Sequence, residues 1–131
     1  MRHRVEITYA LMRIAAGFLF FVHGAQKLFG AFGGHKMPIG TQLGAAGVVE
    51  TVCGALILVG LFTSVAAFVA SGEMAVAYFI QHAPKGGLPI QNGGELAVLF
   101  CFLFLFAAAY GDGRFSIGTL LGPRLRRRSF A

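Results

Sequence analysis

Four long apolar stretches, separated by clusters of glycine and proline, leave this chain few folds to choose from. They cover residues 5–29, 41–61, 64–82 and 95–110, with bounds good to about two to four residues. A helix needs roughly 20 apolar residues, in a range of about 17–25, to cross the hydrocarbon of a bilayer. Each stretch therefore reads as a membrane-spanning helix, the fourth a short one. No run of alternating strands points to a barrel. Of 131 residues, 56% are hydrophobic and only 12% are charged, against the about 25% usual in soluble domains. The expectation is an all-α, single-domain transmembrane four-helix bundle with the lipid bilayer as its main partner.

The breakers fall between the stretches: Gly30, Gly33, Gly34 and Pro38, then Gly60 with Thr63 and Ser64, then Pro84, Gly86, Gly87, Pro89, Gly93 and Gly94. These are turn formers, and short turns imply antiparallel neighbours in an up-down-up-down order. The formal charge is +6, concentrated at the two ends. Arg2 and Arg4 open the chain, and Arg114, Arg124, Arg126, Arg127 and Arg128 lie near its end. Basic residues next to apolar helices mark the cytoplasmic side, which predicts N-in and C-in and argues against nucleic acid as a partner. The basic segment 111–131 suits the inner interface. The first apolar run is interrupted by Arg13 and lacks an A-x-A site, so it reads as a retained helix.

Ionisable groups at membrane depth are costly and face partners or a cavity. Arg13, Gly17, Phe20, Gly24 and Lys27 share a helical sector of about 80°, with His23 at its edge. Small residues let membrane helices approach closely, so this face should point inward. In the second stretch Glu50 flanks a stripe of Gly40, Gly44, Gly47, Thr51 and Gly54. In the third, Glu73 lies among Ala66, Ala70 and Ala77. At 1.5 Å per residue, Arg13 and Glu73 lie about 12 and 14 Å from the inner ends of their helices, which predicts that they pair. Lys27, His23, Glu50, His82 and Glu95 form a second expected cluster toward the outer side. The glycine stripes also make a homodimer reasonable. Phe100, Phe102, Phe104 and Phe106 read as packing and lipid contact. Cys53 and Cys101 differ in depth, by about 18 and 9 Å from the outer ends of their helices, and read as small core residues rather than a disulfide.

The run His23-Gly24-Ala25-Gln26-Lys27 is dense in polar groups. His23 can exchange a proton near neutral pH. Gln26 and Lys27 can donate to a quinone carbonyl or a small anion, with Glu50 handling protons. The alternative is interfacial anchoring, with Lys27 reaching outward. The glutamates either conduct protons or form a structural network. A metal site from His23, Glu50, His82 and Glu95 lacks any H-x-x-x-H or E-x-x-H spacing, and none is assigned. Gly111-Asp112-Gly113 reads as a turn. No nucleophile–base pair can be assigned, so no catalytic residue is named.

The order and spacing of several pieces carry a resemblance. They are Arg13 followed by Gly17-Phe18 and His23-Gly24-Ala25-Gln26-Lys27-Leu28-Phe29, then Val49-Glu50, then Gly54 through Thr63. Glu73-Met74 with Ala77 follows, then Gly94-Glu95 with Ala97, and last Gly111-Asp112-Gly113-Arg114-Phe115-Ser116-Ile117. Together they resemble the DoxX family of small four-helix bacterial membrane proteins. The family often ends the last motif with Asp, where this chain has Gly118. The resemblance implies a multi-pass inner-membrane protein tied to redox metabolism: relatives are linked to thiosulfate:quinone oxidoreductase and to complexes that handle oxidative or thiol stress. It implies a quinone and a redox partner protein rather than a stand-alone enzyme, since no haem, flavin or Fe–S motif is present and no C-x-x-C. A scaffold or assembly protein, and a small transporter or proton channel, are the alternatives.

Overall fold

A computed structural model describes residues 1–122. The basic residues Arg124, Arg126, Arg127 and Arg128 of the predicted interfacial tail lie outside the described residues. The described chain is all-helical, with no strand. Helix α1 spans Arg2–Phe29, α2 Gln42–Val59, α3 Thr63–Ala77, the short α4 Pro89–Asn92, and α5 Glu95–Tyr110. Helix α3 continues through a π-helical turn, Tyr78–His82, and a 3-10 turn, Ala83–Lys85. Three of these stretches are long and apolar enough to cross a membrane, namely Arg2–Phe29, Gln42–Val59 and Thr63–Lys85, and Glu95–Tyr110 is a shorter apolar helix. The outward-facing side chains, among them Leu11, Phe18, Val65, Phe68 and Phe102, are large and apolar. Such a surface suits lipid and not water, so the protein is membrane-embedded.

Glycines close two of the helices where the sequence breaks. Gly30 and Gly60 both take the left-handed conformation, with φ of 66° and 73°, which an L side chain resists. Helix α2 starts at Thr41, whose hydroxyl accepts from the Gly44 N–H at 3.1 Å. That is ordinary N-capping.

Helices α1 and α2 meet backbone to backbone. A Cβ placed on Gly17 would lie 2.6 Å from Leu58 N, and one on Gly54 2.6 Å from Phe21 N. One on Gly24 would collide with Thr51. Gly17 therefore faces Leu58, and Gly24 faces Thr51, so the two helices run in opposite directions. Gly17, Gly24, Gly44, Gly47 and Gly54 are all spent against this chain's own atoms. These five close the fold from within, while Gly40 of the same stripe meets nothing within 4 Å.

The other tight pair is α3 with α5. Ala66, Ala67, Ala70 and Met74 pack against Ala97, Phe100, Phe104 and Ala107 in one buried cluster. The Phe100 and Phe104 rings stack at 5.3 Å, and Phe20 of α1 meets Phe104 edge-on at 4.8 Å. Ser71 spends its hydroxyl on the Cys101 carbonyl at 2.8 Å. Cys53 and Cys101 are both free thiols.

Helix α1 is ten residues longer than α2, 28 against 18, or about 15 Å at 1.5 Å per residue. Its N-terminal turns overhang the α2–α3 corner and pack on the segment after α5. Tyr9 donates to Gly111 O at 2.6 Å, and Glu6 accepts from Tyr110 Oη at 2.7 Å and from Arg114 N at 2.9 Å. Asp112 accepts from Thr63 N at 2.9 Å, supplying from another segment the cap that α3 lacks. A helical turn over 117–122 is tied in by Gly118 N–H to Gly60 O at 2.9 Å.

This corner explains why glycine stands at 118. A Cβ there would strike the Asp112 carboxylate and lie 2.8 Å from Gly60 O. Gly118→Asp would add a second carboxylate on top of the first. It is expected to destabilise the fold by about 2 kcal/mol, from overpacking and like-charge contact. Thermal unfolding in detergent would read this as a lower midpoint, and an unchanged midpoint would refute the clash.

Candidate functional site

A cavity of about 440 Å³ opens between α1, α2, α3 and the start of α5. That falls within the roughly 300–1,000 Å³ of small-molecule sites. Its floor is apolar, with Phe20, Val49, Met74 and Phe100 among the lining residues. Its polar wall comes from three elements: His23 and Lys27 of α1, Gln42 and Glu50 of α2, and Glu73, Gln81 and His82 of α3 and its π-helical turn.

Lys27 and Glu50 form an ion pair at 2.6 Å between Nζ and Oε1. Glu50 is only 2% exposed, and its second oxygen, Oε2, has no hydrogen-bond partner. A buried charge of this kind survives because it is paired. The Glu73 carboxyl lies against that of Glu50, and its Oε2 is likewise buried without a partner. His23 turns its ring edge-on to Phe100, 6.4 Å between centroids. His82 Nδ1 lies 3.2 Å from the Asn92 carbonyl oxygen.

The structure thus brings together five of the eight polar residues singled out in the sequence: His23, Lys27, Glu50, Glu73 and His82. The other three lie elsewhere. Gln26 donates to the Phe32 carbonyl at 3.2 Å and is occupied in holding the first loop. Glu95 stands exposed in the first turn of α5, away from the cavity lining. Arg13 does not pair with Glu73. Its guanidinium, 2% exposed, donates to the carbonyls of Ile57, Leu58 and Phe115 at 2.5, 2.7 and 2.8 Å. The overhang of α1 is the reason: the depth estimate set the inner helix ends level, whereas Arg13 stands beside the end of α2. Its partners are the carbonyls left open by a helix C-terminus.

Asn92 was not singled out in the sequence, yet it fixes the cavity's far rim. It is 5% exposed. Its amide donates to Tyr78 Oη at 3.2 Å and to Gly86 O at 3.0 Å, and its side-chain oxygen accepts from Gly94 N at 2.8 Å. These bonds tie the π-helical turn to the loop before α5. The signal available was its position just before Gly93-Gly94, since Asn side chains bond to backbone two residues on. Among the described residues, no three His, Cys, Asp or Glu side chains gather to hold a metal.

Comparison with known proteins covers most of this site. The model of the family described as DoxX matches residues 8–83, a span that includes every polar residue of the cavity wall. A protein of Haemophilus influenzae (strain Rd), described as uncharacterized, is 44% identical over 111 residues. That alignment covers 79% of this chain and 83% of the relative. No solved structure matches.

Proposed function

The chain belongs to the DoxX family, and from that premise we propose that it is a multi-pass subunit or accessory of a redox system in the bacterial inner membrane, holding a quinone in its cavity. The observation that carries this reading is an apolar cavity among membrane-spanning helices with His23, Glu50, Glu73 and His82 in its wall. Polar groups at membrane depth mark functional pathways. The residues present fit a small aromatic head group: Phe20 and Phe100 give it ring faces, and His23, Gln42 and Gln81 can donate to its carbonyl oxygens. A bound quinone supplies a carrier of two electrons and two protons through the lipid phase. His23, Glu50 and Glu73 would hold or pass protons beside it, and the redox centre would belong to a partner protein.

The orientation follows from charge. Arg2, Arg4 and Arg114 all belong to the end of the bundle where α1 meets the segment after α5, and the positive-inside rule assigns that end to the cytoplasm. The reading is an up-down-up-down bundle, N-in and C-in, with the cavity toward the opposite face.

Native mass spectrometry of the protein released gently from its own membrane tests this. A quinone should remain bound to the wild type and be lost from His23→Ala, with affinity at least about tenfold weaker, as one hydrogen-bond donor to its carbonyl is removed. Lipid and partner subunits without quinone would sink the reading in favour of a scaffold.

A further inference from the structure

We infer that the cavity opens sideways into lipid through a gap between α2 and α3, and that the ligand's hydrocarbon tail lies in that gap. The inference rests on the quinone-class reading above and narrows it to ring compounds that carry a long apolar tail.

The gap follows from how the helices pair. Helix α2 is held to α1 by close backbone contact at Gly17, Gly24 and Gly54. Helix α3 is held to α5 by the alanine and phenylalanine cluster. The tight corner at 60–62 joins α2 to α3 at one end only. From Glu50 and Glu73 toward the other end, no hydrogen bond or ion pair ties α2 to α3 among the described residues.

The lining residues locate the opening. The floor is closed, since Phe20, Met74 and Phe100 are at most 8% exposed. Val76 and Ile80 line the same cavity, yet they are 55% and 48% exposed. Side chains that do both stand at a mouth. At 100° per residue, Val76 lies about 160° around the helix from Met74, which packs on α5. The mouth is therefore on the side of α3 away from α5. From α2 the same cavity is lined by Ala45, Ala46 and Val49, and Ala45 is exposed.

Depth decides what lies outside. Val76 stands about 13 Å, at 1.5 Å per residue, from the Lys85 end of the helical run Thr63–Lys85. The hydrocarbon core of a bilayer is about 30 Å thick, so this part of the mouth faces acyl chains and not water. The exposed polar residues of the lining, Gln42 and Gln81, lie nearer the helix ends, with Gln42 opening α2. The cavity thus has a polar edge toward the helix ends and an apolar edge toward lipid.

An amphiphile matches both edges. A volume of about 440 Å³ suits the ring of a small molecule, and a long alkyl or isoprenoid chain needs room beyond it. Through the side mouth that chain continues among acyl chains, and its methylenes stay out of water. The ring remains among His23, Gln42 and Gln81. Such a ligand enters from the membrane and needs no aqueous path.

Equilibrium binding to the full chain in lipid nanodiscs tests this, corrected for partitioning into empty discs. Two probes share a benzoquinone ring: decylbenzoquinone, which carries a tail, and duroquinone, which carries methyl groups only. Val76→Trp fills the mouth with a side chain that lipid tolerates. It should weaken decylbenzoquinone at least about tenfold and duroquinone by less than about twofold. Val65→Trp, on the same exposed side of α3 but outside the lining, should leave both at wild-type affinity. A decylbenzoquinone with a diazirine partway along its tail should, on irradiation of the wild type, label Ala45, Val76 or Ile80. Excess unmodified decylbenzoquinone should abolish that label.

Full affinity of Val76→Trp for decylbenzoquinone overturns the inference and leaves the quinone-class reading standing. So does an equal loss for both probes, which means that the tryptophan disturbs the ring and not the tail. If duroquinone binds too weakly to measure, or if Val76→Trp does not fold, the label decides. Competed label at the side mouth then supports the inference, and competed label confined to other residues overturns it. Saturable binding of neither probe to the wild type overturns both readings.

Discussion

Gly54→Val is expected to separate α1 from α2 and to prevent the folded bundle from accumulating. The first atom of any side chain at this position would lie 2.6 Å from Phe21 N and 2.8 Å from its Cα. Backbone cannot move aside as a flexible side chain can. Overpacking of cores costs about 1–3 kcal/mol and occasionally more, and a clash between two helix backbones belongs at the upper end. Gly17→Val, on the facing helix, should fail in the same way, since its Cβ would lie 2.6 Å from Leu58 N. Combining the two should cost less than their sum, because the helices need be pried apart only once. Unfolding in graded denaturing detergent, followed by circular dichroism, would measure this. Wild-type stability in Gly54→Val would mean that the helices do not touch there. Gly72→Val serves as the control, as a Cβ there meets nothing within 4 Å.

The second large effect is expected at Arg13. Methionine fills a similar length but donates nothing, so Arg13→Met strands the carbonyls of Leu58 and Phe115 in a part-buried corner. Each stranded group costs about 1–3 kcal/mol, which gives a loss on the order of 3 kcal/mol or more for the pair. Arg13→Lys should recover only part of it. An ammonium lacks the planar fork of donors that reaches three carbonyls at once. The corner joins α1, the α2–α3 turn and the segment after α5, so local release should show first as faster hydrogen exchange at Thr63 and Gly118. Unchanged exchange at both amides would count against the guanidinium as the tie.

Much of this architecture is legible in the sequence because helical geometry maps residue spacing onto space. The inward face of α1 follows from Arg13, Gly17, Phe20 and Gly24, and all four are buried. Depth along the membrane is another matter. It depends on where neighbouring helices begin and end, and nothing local to Arg13 records that α2 stops beside it. The aromatic run of α5 shows the same limit. Phe100, Phe102, Phe104 and Phe106 look equivalent in a string, but residues four apart share a face. Phe100 and Phe104 are buried at 4% and 1% exposure, while Phe102 and Phe106 stand 65% and 52% exposed. Within the cavity, residue type pointed to Lys27 and Gln26 equally. Their fates differ because the first loop folds back and offers Gln26 a carbonyl six residues on, a detail of loop path that no helical wheel contains. Asn92 depends on the path of a loop and on a π-helical turn, and neither has a repeating signature.

The backbone contact between α1 and α2 bears on how such a protein can be probed. Alanine scanning learns what a side chain does by cutting it away. Of the fifteen buried hydrophobic residues among those described, eight are already alanine: Ala10, Ala16, Ala25, Ala66, Ala67, Ala70, Ala97 and Ala107. A scan would register the aromatic minority, Phe20, Phe100 and Phe104, and would pass in silence over most of the core. At Gly17, Gly24 and Gly54 its logic runs backwards, since alanine there is an addition. In this molecule the informative scan goes upward in size, because closeness is written in residues that have nothing to remove.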